Sequence, residues 1–94
     1  MINYKEIKLN EHEMDMLQRV ARHSKFKYLA RDMFGQLFCH KEKPRKFWKV
    51  WINESELKHA YMYDNSFKFI KWEDEEPYSI EELLKCEIDW LHRN

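Results

Sequence analysis

Four carboxylates in succession, Glu73, Asp74, Glu75 and Glu76, stand between Trp72 and Pro77. Like charges at adjacent positions repel unless water, a cation or a basic partner surface relieves them, so this corner is the chain's strongest candidate for a functional surface. Two further acids, Glu81 and Glu82, follow closely, and Trp72 and Tyr78 flank the cluster as expected aromatic anchors of a binding rim. Positive charge gathers instead in Lys41 to Trp51, KEKPRKFWKVW, where cations and rings intermingle. A nucleic-acid surface uses cations for phosphates and rings for base stacking; Lys43, Arg45, Lys46 and Lys49, with Arg19 and Arg22, are its candidate residues.

Catalytic chemistry finds less support. His12, His23, His40, His59 and His92 are scattered without ligand spacing, and Cys39 and His40 are adjacent in an expected strand, where they point to opposite faces. The acidic corner lacks the glycine and the alternating ligands of a calcium loop. Ser24, Ser55 and Ser66 sit in no nucleophile elbow, Ser79 is spent as a helix cap, and the single glycine leaves no phosphate-cradling loop. The expectation is a non-enzymatic protein with no cofactor and no metal site.

These residues must be positioned by a chain of 94 residues, long enough for one domain over residues 1–94. Four Trp, five Tyr and six Phe nearly match Leu, Ile and Val in number, so the core is expected to draw largely on aromatics. No segment has the length of a membrane span and the first residues lack the apolar centre of a signal peptide, which leads to an expected cytoplasmic location without membrane contact. Cys39 and Cys86 are expected as free thiols.

Three helix starts share one grammar. Asn10 with Glu13, Asn53 with Glu56 and Ser79 with Glu82 form capping boxes, each with a hydrophobic staple: Leu9 with Met14, Ile52 with Leu57, Tyr78 with Leu83. The spacing predicts a first helix from about Glu11 to Ser24, a short one from Glu54 to about Tyr61, and a last one from about Ile80 to His92. Period-two alternation predicts strands from Phe26 to Arg31 and Leu37 to Lys41, joined by a turn at Asp32 to Gly35, then Phe47 to Ile52 and Phe67 to Trp72. The expected fold is α+β: an antiparallel sheet of three to four strands, with the N-terminal and C-terminal helices on one face, in the order α-β-β-β-(short α)-β-α. That order resembles the double-stranded RNA-binding domain. Those domains place lysines at the start of the final helix, whereas Ser79-Ile80-Glu81-Glu82 would repel phosphate there.

Charge is balanced overall and divided along the chain. Residues 19–52 carry ten bases against two acids, and residues 53–94 carry eleven acids against five bases. Either the halves present opposite faces or they neutralise each other across the sheet.

The segment Phe67-Lys68-Phe69-Ile70-Lys71-Trp72-Glu73-Asp74-Glu75-Glu76-Pro77, continuing to Ile80, Leu83 and Leu84, resembles the C-terminal signature of small proteins carried by phages and prophages of Gram-positive bacteria. Tyr28-Leu29-Ala30-Arg31-Asp32 with Gly35, Leu37 and Lys43-Pro44 resembles the N-terminal signature of the same group. The resemblance transfers no catalytic residue. It implies an accessory protein, monomer or homodimer, acting inside a bacterial host by occupying a host protein's basic surface, such as the nucleic-acid groove of a defence nuclease. On that reading Glu73 to Glu76, Glu81 and Glu82 meet the partner; the alternative is a nucleic-acid-binding accessory protein using residues 41–51.

Overall fold

A computed structural model describes residues 1–23, 25–53, 59–62 and 65–89. It is a small α+β fold with several antiparallel strands and two helices. A 3-10 turn at Tyr4–Glu6 and strand β1, Lys8–Leu9, lead into helix α1, Glu11–His23. Strands β2 (Tyr28–Arg31), β3 (Leu37–His40), β4 (Arg45–Phe47), β5 (Val50–Ile52) and β6 (His59–Met62) follow, then β7 (Tyr78–Ser79), helix α2 (Ile80–Leu83) and β8 (Glu87–Ile88). The main sheet has the order β6-β3-β2-β7, all antiparallel, with Leu29 opposite Cys39 and Tyr78. β4 and β5 form a separate hairpin, and β1 and β8 a short parallel pair that ties the two ends of the fold together.

The local signals of α1 and the first hairpin correspond to real contacts. Glu13 N–H donates to Asn10 Oδ1 at 2.7 Å and Asn10 N–H to Glu13 Oε1 at 3.1 Å, a closed capping box. Lys25, just past α1, takes the left-handed conformation at φ +57°, a common way for a helix to stop. In the β2–β3 turn Asp32 Oδ1 accepts from Phe34 and Gln36 N–H, and Gly35 occupies φ +87°, which glycine adopts without steric cost.

Four expectations are corrected. The strand expected over 47–52 is split into a hairpin, because Trp48 enters the left-handed region at φ +57° and reverses the chain. The short helix expected to reach Tyr61 is replaced at 59–62 by β6, which pairs with β3; Asn53 donates towards His40 Nδ1, and residues 54–58, where the expected cap and first turn would fall, lie outside the described set. The strand expected from Phe67 to Trp72 is a run of turns. Its backbone groups bond to side chains rather than to a neighbouring strand: Arg31 Nε donates to Ile70 O at 2.6 Å and its Nη2 to Ser66 O and Phe67 O at 2.9 and 3.1 Å, while Glu13 Oε2 accepts Phe67 N–H. The last helix ends at Leu83. The chain then turns into β8, where Ile88 pairs with Leu9 and Asp89 N–H donates to Leu9 O at 2.7 Å; the expected continuation through Trp90 to His92 lies outside the described residues.

The core is mainly aliphatic, contrary to expectation. Leu9, Leu17, Leu29, Leu37, Ile70, Ile80 and Leu83 are fully buried with Phe67 and Cys39, while Tyr4, Phe26 and Phe69 pack around them half-buried. Several rings remain outside: Phe34, Phe47 and Trp48 are exposed.

Candidate functional site

The acidic corner is fixed at both ends. At its entrance, Lys71 N–H donates to Asp74 Oδ2 at 2.8 Å while Asp74 N–H donates to Lys71 O at 3.1 Å, so Asp74 closes its own turn. Trp72 is half-buried, edge-on to Trp51 at 6.3 Å, and Lys46 Nζ lies over both rings, 4.3 Å from the Trp72 centroid and 5.4 Å from that of Trp51. Trp51 Nε1 in turn donates to Arg31 O. At the exit, Pro77 and Tyr78 are buried and β7 joins the main sheet beside β2. Tyr78 meets Phe69 at 5.5 Å and Tyr4 at 6.0 Å, both edge-to-face.

Between these anchors the carboxylates face outward. Glu73, Glu75 and Glu76 are exposed and Asp74 is half-buried. Among the described residues, the one cation within ion-pair distance of the four is the terminal ammonium, 3.8 Å from Glu76 Oε2. An open groove of about 460 Å³ is lined by them together with Ile2, Glu6 and Ile7 of the N-terminal segment. Burial, then the charge and hydrogen bond of Asp74, push the Tyr78 hydroxyl up to about 12. Burial also raises Tyr4; Ser79 N–H, donating to its hydroxyl at 2.8 Å, opposes that, and the charges of Glu82 and Glu76 reinforce it. Tyr4 therefore lies within the field of both acidic groups. Glu81 is exposed; Glu82 is half-buried and 3.4 Å from Lys85 Nζ.

The expected partner-binding residues thus separate by role. Glu73, Glu75, Glu76 and Glu81 are available to a partner, Asp74 and Glu82 are partly engaged, and Trp72 and Tyr78 support the corner from beneath, Tyr78 being only 7% exposed. Sequence reasoning missed Glu6, Ile2 and Ile7, which adjacency in sequence does not reveal, and Arg31 and Glu13, which hold the preceding loop; the capping box was the one available sign of Glu13.

The expected nucleic-acid residues also divide. Lys43 and Arg45 are exposed, Lys46 Nζ lies over the Trp51 and Trp72 rings, and Lys49 Nζ lies 5.0 Å over the Trp48 ring. On α1, Arg22 is exposed and Arg19 pairs with Asp15 at 3.0 Å. Among the described residues no three His, Cys, Asp or Glu side chains assemble as a metal site, and no helix is long and apolar enough to cross a membrane. Cys39 and Cys86 are free. No known protein family, curated protein or solved structure matches this chain.

Proposed function

We propose that this protein is a non-enzymatic interaction module that captures a basic protein surface through the corner Glu73 to Glu76, with Glu6 and Glu81 extending the field. One observation carries the reading: a cluster of four carboxylates is anchored at both ends by a turn hydrogen bond and ring contacts, yet meets no side-chain cation of its own among the described residues. A partner that supplies those cations gains from contacts the fold leaves unmade, and long-range attraction speeds its encounter. The partner class suggested by the phage-like signature is a host defence nuclease whose nucleic-acid groove presents such a surface. Inhibition follows by occupation of that groove.

The test uses Glu73→Lys/Glu75→Lys, two exposed positions that leave the Asp74 turn intact. Host proteins retained by immobilised wild-type protein at low salt are expected to be lost on this variant and released from the wild type as salt rises, with the unfolding temperature unchanged. Retention of the same proteins by both forms overturns the reading.

A further inference from the structure

A second surface lies at the tips of the two hairpins. Met33 N–H in the β2–β3 turn donates to Lys49 O in the β4–β5 turn at 3.0 Å, which fastens the tips together. The joined tips expose Met33 (53%), Phe34 (63%), Phe47 (59%) and Trp48 (76%), which with Met1 are the exposed large apolar side chains among the described residues. Val50 links two of them: Phe34 and Val50 line one groove, and Phe47 is the cross-strand neighbour of Val50. Three of the four are aromatic. Trp48 holds its ring outward from a left-handed backbone that glycine would occupy with less strain.

Charge selects the occupant. Residues 41–49 carry five bases against one acid, and Lys49 is held against the Trp48 ring. Aromatic faces interleaved with lysines match a ligand with alternating flat bases and phosphates. A duplex keeps its base faces stacked inside and would leave the three rings idle, and α1 offers it little, since Arg19 is already paired with Asp15. We infer that the joined hairpin tips are a stacking platform for single-stranded nucleic acid, with Trp48, Phe47 and Phe34 receiving bases and Lys49 and Lys43 receiving phosphates. This surface adjoins the acidic corner, since Met33 and Glu73 line one groove, but Phe34, Phe47, Trp48 and Lys49 line neither that groove nor the one beside Glu73 to Glu76, so loss of the Trp48 ring leaves the carboxylates in place.

The test is fluorescence anisotropy of a labelled oligothymidylate of about 15 nucleotides at low salt, a length that covers one platform. Trp48→Gly removes the ring and relieves the backbone, so binding and folding move in opposite directions. Its unfolding temperature is expected at or above that of the wild type, while affinity falls roughly 5- to 150-fold, the loss of one stacked base. Phe47→Ser is expected to weaken binding likewise, and Glu73→Lys/Glu75→Lys to leave it unchanged or strengthened. Equal affinity of Trp48→Gly and wild type overturns the proposal. So does a wild type that ignores the oligonucleotide, including one that sediments instead with anionic phospholipid vesicles, which would make the tips a lipid-docking surface.

Discussion

Replacing Arg31 by Lys tests how the loop that carries the acidic corner is held. The guanidinium donates to Ile70 O at 2.6 Å, Gly35 O at 2.8 Å, Ser66 O at 2.9 Å and Phe67 O at 3.1 Å, joining the first hairpin to a segment with no strand pairing of its own. A lysine ammonium keeps the charge, but it is a point donor and cannot span carbonyls on two sides of a planar fork. At least two of the four bonds are lost. Hydrogen bonds to a charged group contribute about 1.5–3 kcal/mol each, and partial exposure of Arg31 favours the lower end, giving a loss of about 3 kcal/mol. For a domain of this size that lowers the unfolding temperature by roughly 12–24 °C. Thermal and urea unfolding measure it, with an unchanged urea slope showing that the folded and unfolded states keep their extents. A loss below about 1 kcal/mol refutes the reasoning, because bonds of such a kind cannot then be what orders residues 66–72.

Three other perturbations follow from the same contacts. Glu13→Gln leaves a single acceptor oxygen for the Asn10 and Phe67 amides, so stability is expected to fall by about 2 kcal/mol in urea unfolding; an unchanged midpoint contradicts the dual role. The two hairpin turns respond with opposite signs: Gly35→Ala, at φ +87° with open space around its Cβ, loses about 1 kcal/mol through backbone strain alone, whereas Trp48→Gly gains up to about 1 kcal/mol, both read by thermal unfolding. Burial pushes the Cys39 thiol from 9.0 to about 12, and burial with Asp74 pushes the Tyr78 hydroxyl from 10.0 to about 12. The unfolded chain ionises these groups first, so their stabilising effect is full below about pH 9 and is lost as pH rises towards about 12. A pH series of unfolding temperatures checks this, and Cys39→Ala/Tyr78→Phe is expected to flatten the decline.

What the sequence made legible was local. The capping box at Asn10 and Glu13, the alternation from Tyr28 to Arg31 and the glycine after Phe34 each act within a few residues, and α1 and the first hairpin formed as those signals indicated. The segment Phe67 to Trp72 alternates like a strand but is governed by Arg31 and Glu13, 39 and 54 positions from the groups they bind. Periodicity carries no trace of such partners. Likewise the apolar stripe after Ile80 fits a longer helix, until Glu87 and Ile88 find the edge of β1. At the acidic corner, composition revealed the charge but left open whether it would face solvent or be neutralised within the fold. It did not reveal that Tyr78 would be buried, that Trp72 would meet Lys46 and Trp51, or that the N-terminal segment would line the same groove.

The most direct measurement is a chemical-shift map of the isotope-labelled protein titrated with a basic host protein recovered in the retention assay. Binding through the corner predicts amide changes concentrated at Glu73 to Glu76, with Glu6 and Glu81, that vanish in Glu73→Lys/Glu75→Lys. Changes centred instead on Met33, Phe34 and the turn at Trp48, with the acidic amides still, contradict it.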